Sequence, residues 1–507
     1  MKYRCQKGGS VVLPLEATKG WDGDDEDDES DEDWLWGREE DEDLDAWDEG
    51  HDAPDGGWGW VVTFASFVIY AMASMFTNCF GVLFAGFLLE LGTSTTKVSE
   101  IFNLSLALSS FFTFLAGPLV EQFGWRRVTF ITSLVYSAGL AASTITTSAS
   151  FIFMSTMMIA GMCILMLEVI AQHTVSLYFT RRRRLATCMV TLGTCASQVL
   201  MTPLITYLQA EFTSRGATLI MAATVLNCCV AAMFLHPVEW HTKQHQSGHA
   251  KNIEQVLPSP PPRPKQASSA SESLARVFKE SMKNLRHLRC PRIAIITVVL
   301  ACNTSTLVNI WAIVPFALHT DGYSPQEIAL CLSVAGICNM ASRLSNAVIS
   351  CCTAFTVQQL YIIGSTMSAL GIIGFCWASD LFWKTTLFGL CGLGSGTVST
   401  LYCLVPLEVA GLKLQLPVLS LAGLITGLWF LLVDPLTGLV RDVTGSYSAC
   451  LVVLGSFLLA SLVLWLLMPP PPPPTQPRHH LGIEGRPLVR PFKPLLRPQP
   501  PTEGPGR

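Results

Sequence analysis

Runs of roughly 20 apolar residues recur along the whole chain, and this repetition constrains the fold more than any other feature. Each run is long enough to cross a hydrocarbon layer of about 30 Å as a helix. Backbone groups in lipid must pair within their own segment, which favours helices, and the short alternating segments of a β-barrel are absent. We therefore predict an all-α membrane protein with twelve transmembrane helices. The predicted spans cover residues 58–89, 101–119, 128–145, 151–177, 185–208, 217–235, 293–318, 328–348, 360–377, 387–405, 416–433 and 447–468.

The charged residues are few and strongly segregated. Half of the 507 residues are hydrophobic and 14% are charged, which is too little charge to cover a soluble protein of this length. Residues 22–49 contain 18 acidic residues and a single basic one, whereas the rest of the chain has 20 acidic and 32 basic residues. The acidic block predicts a disordered, solvated tail, and the remainder is basic.

The spans form two groups of six, separated by a long polar segment. This layout is typical of a transporter built from two similar halves with a binding site between them. Arg126, Arg127, residues 181–184 and the polar segment concentrate positive charge on one side, so we predict that both termini are cytoplasmic. The predicted domains are an acidic disordered tail (1–54), an N-terminal half (55–236), a linker (237–292), a C-terminal half (293–468) and a Pro/Arg-rich disordered tail (469–507).

The linker contains two distinct sequence patterns. Residues 258–264 are rich in proline and are predicted to be extended. After them, apolar residues recur at helical spacing with Arg and Lys opposite, which predicts an amphipathic helix on the anionic cytoplasmic leaflet. Its apolar positions are Leu274, Val277, Phe278, Met282, Leu285 and Leu288.

Four short motifs occur in order along the membrane region. They are Asp55-Gly-Gly-Trp-Gly-Trp60, Gly117-Pro-Leu-Val-Glu-Gln-Phe-Gly-Trp-Arg-Arg127, Tyr178-Phe-Thr-Arg-Arg-Arg-Arg-Leu-Ala186 and Asp434-Pro-Leu-Thr-Gly-Leu-Val-Arg-Asp-Val-Thr-Gly-Ser-Tyr447. Together they resemble the monocarboxylate-transporter family of the major facilitator superfamily. The resemblance implies alternating access between the two halves, a small organic anion as substrate, and a single-span glycoprotein as a chaperone partner.

Residues of the first two motifs are candidates for a conformational role. The tryptophans of the entry motif suit the lipid headgroup region, and its glycines allow close backbone approach. In the second motif, Glu121 could pair with Arg126 and Arg127 and stabilise one of two alternating states; simple retention of positive charge on the cytoplasmic side is the other interpretation. The candidates are Asp55, Gly56, Gly57, Trp58, Gly117, Glu121, Arg126 and Arg127.

The candidate substrate site centres on Arg343 in the eighth predicted span. A charge inside the membrane is costly, so it usually faces a cavity or a partner, and a guanidinium group matches a carboxylate. The residue also aligns with the family's arginine in that helix, which is held to bind the substrate carboxylate. The other interpretation is a side chain that reaches from the helix end to the headgroups.

Two positions beside this arginine depart from the family pattern. Proton-linked members have an aspartate four residues before the arginine and a lysine in the first helix; here these positions are Asn339 and Asn78. An amide can hydrogen-bond a substrate but cannot take up a proton at physiological pH. Both asparagines remain candidates for substrate binding. The chain lacks the two titratable side chains that carry the proton in the proton-linked members of the family.

Glu168 and His173 in the fourth predicted span are the candidates for a substitute proton relay. They lie five residues apart and therefore about 140° apart around a helix. For His173, a packed and hydrogen-bonded structural role is the alternative. Two further patterns have structural interpretations: Gly392-Leu-Gly-Ser-Gly396 predicts close helix packing, and the Asn303-Thr-Ser305 triplet lies inside a span.

These observations predict a multi-pass plasma-membrane carrier, either secondary-active (a symporter) or facilitative, for monocarboxylates such as lactate or pyruvate. The alternatives are a proton-independent facilitator of another small solute, such as an amino acid, and a non-transporting membrane scaffold. We find no catalytic set of residues, no metal-ligand spacing and no nucleotide-binding signature, so we expect no enzyme, cofactor, metal or nucleic acid. Membrane lipids are expected partners, and the sequence is compatible with transport either with or without a co-transported proton.

Overall fold

The computed structural model describes residues 53–80, 83, 95–145, 155, 159, 161–241, 270–349 and 355–469. The acidic block, the proline-rich part of the linker and the tail beyond residue 469 lie outside these ranges. Across the described residues the chain is all-helical and contains no β-strand, as predicted.

Fourteen α-helices make up the described structure. Those before the linker are α1 (Trp58–Phe80), α2 (Thr95–Thr113), α3 (Ala116–Phe123), α4 (Trp125–Ala142), α5 (Ile164–Tyr178), α6 (Arg183–Val225) and α7 (Asn227–Phe234). Those after it are α8 (Ala270–Asn284), α9 (Pro291–Thr320), α10 (Pro325–Ile349), α11 (Val357–Trp377), α12 (Leu381–Leu401), α13 (Leu404–Thr444) and α14 (Tyr447–Leu466).

By length and apolar composition, the described structure holds eight helical stretches able to cross a membrane, or nine when the bent pair at 102–113 and 116–123 counts as one span. Two of these stretches are longer than a bilayer requires, at 52 residues for Arg183–Phe234 and 64 for Leu381–Thr444. Each is interrupted by a residue with non-helical backbone angles, Thr213 (φ 66°) in the first and Gly411 (φ 78°) in the second. Both interruptions fall between two predicted spans.

The helices pack in two groups that meet along two seams. Helices α1–α7 contact mainly one another and form the N-terminal group, and helices α9–α14 form the C-terminal group. The principal contacts between the groups are α6 with α10 and α2 with α13. At the second seam a Cβ on Gly423 would lie 2.9 Å from the Ser110 carbonyl oxygen, so the two backbones approach closely.

The two groups are in apolar contact at one end of the helices, which we call the basic end because it carries the arginines at 181–184. Side chains of α3, α4 and α5 pack there against Cys403 and the first half of α13. The buried residues of this cluster are Ala116, Val120, Val128, Met166, Val169, Ile170, Cys403, Leu416 and Leu419. The structure is therefore closed between the groups at the basic end.

Two of the structural predictions for buried motifs are confirmed. A Cβ on Gly396 would lie 2.5 Å from the Asn339 carbonyl oxygen, so the glycine-rich stretch permits close packing of α12 on α10. Asn303 is 1% exposed, donates to the Tyr361 hydroxyl at 3.1 Å and accepts from the Ser461 hydroxyl at 3.1 Å. The Asn303-Thr-Ser305 triplet, which has the spacing of a glycosylation acceptor, is therefore a buried hydrogen-bonding site within the C-terminal group.

Candidate functional site

Arg343 lies on α10 at the seam with α6 and is 5% exposed. Its Nε donates to the Asn339 side-chain oxygen at 3.0 Å, and its Nη1 donates to the Thr191 carbonyl oxygen at 3.0 Å. Asn339 in turn donates to the Ser395 hydroxyl at 3.0 Å. A guanidinium group has five donors, so these two bonds orient it while leaving donors for a ligand. The side chain spans the seam rather than reaching to the headgroups.

Glu168 lies on α5 in the N-terminal group and is only half-buried. One of its carboxylate oxygens accepts a hydrogen bond of 2.8 Å from the Ser74 hydroxyl, and the Tyr70 side chain also hydrogen-bonds it. The charges of Glu168 and Arg343 are close enough to interact. The seam therefore brings together one negative and one positive group, each contributed by a different helical group.

Helix α6 joins these two charged residues. Thr194 shares a hydrogen bond of 3.2 Å with the Ser74 hydroxyl, and its carbonyl oxygen accepts from the Asn78 side chain at 3.2 Å. One turn away, the Thr191 carbonyl accepts from Arg343. Asn78 therefore belongs to the same polar region as Arg343 and Asn339.

Sequence reasoning missed Ser74, Tyr70, Thr194 and Ser395, because hydroxyl side chains are common in membrane helices and carry no charge to mark them. It missed Thr191 because that residue contributes a backbone carbonyl oxygen, which every residue has. Gly193 is a sequence feature that could have pointed to close packing of α6 in this region. A Cβ there would lie 2.8 Å from the Phe67 carbonyl oxygen, so this glycine allows α6 to pack tightly on α1.

An open groove of about 300 Å³ lies between α6 and α10. Its lining residues are Cys195, Gln198, Val199, Leu332, Ser333, Gly336, Ile337 and Met340. Arg343 is not among them, although it follows Met340 by about one helical turn. The groove therefore lies beside α10 about one helical turn from Arg343.

His173 faces a different set of groups from Glu168, as the predicted 140° separation requires. Its Nδ1 lies 2.9 Å from the Gln415 side-chain oxygen, and Gln415 donates to the Ser176 hydroxyl at 3.1 Å and the Cys403 carbonyl at 3.0 Å. Since the Gln415 oxygen is the acceptor, this network assigns the imidazole proton to Nδ1. His173 is buried and forms a polar bridge between α5 and α13 at the basic end.

The entry motif holds the loop between α5 and α6. One oxygen of Asp55 accepts from the Thr180 and Arg181 backbone N–H groups at 2.8 and 3.0 Å, and the other accepts from the Thr180 hydroxyl at 2.5 Å. Burial alone would raise the pKa of Asp55, but these hydrogen bonds outweigh it and hold the pKa below its usual value. Gly57 has φ 55°, and Trp58 stacks on His236 with ring centroids 4.6 Å apart.

The second motif contributes a contact across the seam but not the predicted charge pairs. The Gly117 backbone N–H donates to the Ser420 hydroxyl of α13 at 3.1 Å. Neither ion pair recorded among the described residues involves Glu121, Arg126 or Arg127, so those pairs are absent. The chain turns at Gly124 (φ 80°), which places Glu121 and the two arginines on separate helices.

Other charged groups lie beside these residues instead. Glu280 and Lys283 of α8 are the charged neighbours of Glu121. Arg126 lies near His236, whose pKa is lowered by burial, then by His241 and by Arg126. Within the described part of the chain, no three His, Cys, Asp or Glu side chains are grouped to hold a metal ion.

Comparisons with known proteins agree with this architecture. The model of the Major Facilitator Superfamily matches residues 66–429. Monocarboxylate transporter 13 of Rattus norvegicus is 26% identical over 412 residues, covering 80% of this chain and 88% of the relative. Monocarboxylate transporter 6 of Homo sapiens is 26% identical over 423 residues, covering 80% of this chain and 79% of the relative.

Two solved structures share the fold at low sequence identity. FucP in the outward conformation has a TM-score of 0.59 at 12% identity and covers 82% of this chain and 100% of its own. The human organic anion transporter MFSD10 (TETRAN) has a TM-score of 0.59 at 12% identity and covers 81% and 100%. The resemblance seen in the sequence motifs is thus confirmed: the chain belongs to the major facilitator superfamily, is similar to monocarboxylate transporters, and is a multi-pass membrane transporter rather than an enzyme.

Proposed function

We propose that this chain carries small organic anions, and most specifically monocarboxylates of the lactate and pyruvate type, across the plasma membrane. In this proposal the chain crosses the membrane twelve times, with both termini and the basic end in the cytoplasm. The monocarboxylate-transporter names of its relatives support the substrate class. Transport proceeds by alternating access between the N-terminal and C-terminal groups.

The observation that carries the proposal is the buried guanidinium of Arg343 at the α6–α10 seam. Its hydrogen bonds to Asn339 and Thr191 fix the plane of the group. A carboxylate can then accept from the remaining donors in a charge-assisted arrangement. The amides of Asn339 and Asn78 lie in the same polar region and supply further donors for a hydroxyl or keto oxygen.

Alternating access requires contacts that break at one end as they form at the other. At the basic end the apolar cluster, the His173–Gln415 bridge and the Gly117–Ser420 hydrogen bond hold the groups together. In the proposed cycle these contacts separate in the inward-open state. Arg343 lies at the α6–α10 seam, so its side chain can face one side of the membrane in one state and the opposite side in the other.

Glu168 decides how the charge of the substrate is balanced. Arg343 and an ionised Glu168 together are neutral, so an added carboxylate would leave a net negative charge inside the membrane. We propose that Glu168 takes up one proton for each monocarboxylate, which keeps the loaded site neutral. Proton uptake at this position would replace the titratable groups that Asn339 and Asn78 lack.

The same pair of charges favours one alternative substrate class. A zwitterion such as an amino acid would place its carboxylate on Arg343 and its ammonium group on Glu168, and would need no proton. The two hypotheses differ in whether Glu168 is protonated during transport.

The primary test is uptake of radiolabelled lactate and pyruvate by proteoliposomes containing the full chain. Losing two charge-assisted hydrogen bonds costs about 3 kcal/mol, so Arg343→Ala should reduce uptake at low substrate concentration on the order of 100-fold. Arg441→Ala is the matched control, because this exposed arginine packs over the Tyr447 ring away from the site. Equal uptake by Arg343→Ala and wild type would refute the assignment.

A second measurement follows uptake at acidic and neutral pH, with and without an imposed membrane potential. A proton symporter should lose its acid stimulation in Glu168→Gln and begin to respond to potential, since the anion would then cross without its proton. His173→Gln is the control and should keep the acid stimulation. If only His173→Gln loses the acid stimulation, His173 and not Glu168 takes up the proton. If the protein takes up an amino acid but no lactate, the substrate is a zwitterion and not a monocarboxylate.

A further inference from the structure

Helix α8 presents three different faces. Val277 and Ser281 are buried and face α3, against which α8 packs. The next face carries exposed apolar side chains, Leu274 (71% exposed), Phe278 (60%) and Met282 (47%), at a spacing of four residues. This differs from the sequence prediction, which placed Val277 on the same apolar face as Leu274 and Phe278.

Exposed basic residues follow the apolar stripe around the helix: Lys279 lies on the side away from α3, whereas Lys283 lies close enough to Glu121 of α3 for their charges to interact. Lys279 follows Phe278 by about 100° around the helix, and Lys283 follows Met282 by the same angle. Arg286 and Arg289 continue the basic side in the 3₁₀ segment Leu285–Arg289. Lys283 is 3.7 Å from Glu280, an exposed pair that contributes little to holding the side chain in place.

The position of α8 is fixed by its connection to the membrane region. The 3₁₀ segment ends at Arg289, and α9 begins at Pro291 and runs for 30 residues with an apolar composition. Helix α8 therefore lies where a membrane-spanning helix enters the bilayer. An apolar stripe bordered by basic residues at this level is complementary to acyl chains and anionic headgroups.

The contact of α8 with α3 connects the two helical groups. Although α8 leads into the C-terminal group, α3 belongs to the N-terminal group. Gly117 of α3 lies next to both α13 and α8. Its backbone N–H donates to the Ser420 hydroxyl of α13, and a Cβ on Gly117 would lie 3.9 Å from the Asn284 side chain at the end of α8. Helix α8 thus closes over a contact that joins the groups at the basic end.

We propose that α8 is a latch controlled by anionic lipid. Anionic headgroups bind Lys279 and Arg286 while Leu274, Phe278 and Met282 insert among the acyl chains. This holds α8 against α3 and stabilises the conformation closed at the basic end. Removal of anionic lipid releases α8 and favours separation of the two groups.

The test is amide hydrogen exchange of the full chain in nanodiscs of phosphatidylcholine, with or without about 30 mol% phosphatidylserine. Each basic residue near an anionic surface contributes about fivefold to binding, so phosphatidylserine should slow exchange in residues 270–289 on the order of tenfold or more. Residues 116–123 of α3 should slow in parallel. About 1 M salt should remove the difference, because it shortens the Debye length to about 3 Å.

Two double variants distinguish the latch from a general attraction of basic residues to the membrane. Lys279→Gln with Arg286→Gln should lose most of the phosphatidylserine effect. Arg181→Gln with Arg182→Gln removes two exposed arginines from the same end and should keep it. Unchanged exchange in phosphatidylserine, an equal loss in both double variants, or slowing of α8 without α3 would each overturn the proposal.

Discussion

Gln415 offers a direct measurement of how strongly the basic end is closed. Its side chain joins α13 to His173 at 2.9 Å and to Ser176 at 3.1 Å, and both partners belong to α5. We predict that Gln415→Leu shifts the protein toward the conformation open at the basic end. The lost hydrogen bonds and the buried His173 donor left unpaired together cost about 2–4 kcal/mol in the closed state. A change of that size moves a two-state equilibrium by roughly 30- to 800-fold.

Cys403 provides the assay because it is buried beside Gln415 in the closed structure, with the Gln415 amide nitrogen 3.3 Å from its sulfur. In purified protein, its labelling by a maleimide, measured by mass spectrometry, should accelerate in Gln415→Leu in proportion to the open population. Cys228, buried in the N-terminal group, should label at an unchanged rate.

The matched control is Gln172→Leu, at the position next to His173 on α5. Gln172 is buried, and its side-chain oxygen has no hydrogen-bond partner in the described structure. The substitution is chemically identical but removes no bond between the groups, so Cys403 labelling should stay at the wild-type rate. If Gln415→Leu and wild type label Cys403 equally fast, the bridge does not hold the basic end closed.

Two further predictions concern stability. Asp55→Asn should lower the free energy of unfolding by about 1–2 kcal/mol at neutral pH, since an amide cannot replace both acceptor oxygens that bind Thr180. The pKa of Asp55 is lower in the folded protein than in the unfolded chain, so the carboxylate stabilises the protein fully at pH values above its ordinary pKa of about 4. This stabilisation is lost as the pH falls through the folded-state pKa. The difference in melting temperature between Asp55→Asn and wild type should therefore vanish at such low pH. Asp321→Asn should destabilise more than the double variant Asp321→Asn with Lys384→Met, because the single change leaves the buried Lys384 ammonium without its ion-pair partner. A thermal-melting comparison in which the double variant is the less stable would contradict this.

The membrane character and the position of the central arginine followed from the sequence because both depend on local patterns. Apolar runs of spanning length are visible without knowing the fold. The four-residue spacing of Asn339 and Arg343 is a neighbour relation on one helix, and the structure contains the corresponding hydrogen bond at 3.0 Å.

Partners from distant parts of the chain could not be predicted in this way. His173 and Gln415 are separated by 242 positions, and only the packing of α5 on α13 brings them together. The predicted pairing of Glu121 with Arg126 failed for a local reason, because the turn at Gly124 separates them onto two helices. The face of α8 was misassigned at Val277 because periodicity identifies apolar positions but not which of them contact protein and which contact lipid.

The hydrogen bond from Arg343 to the Thr191 carbonyl has a kinetic consequence. In the proposed carrier a carboxylate accepts from the remaining Arg343 donors and partly neutralises the guanidinium charge, which weakens the charge-assisted bond that ties α10 to α6. The occupied carrier then has a lower barrier to reorientation than the empty one. We therefore expect solute on the far side of the membrane to accelerate uptake, and the protein to exchange its substrate faster than it delivers a net flux.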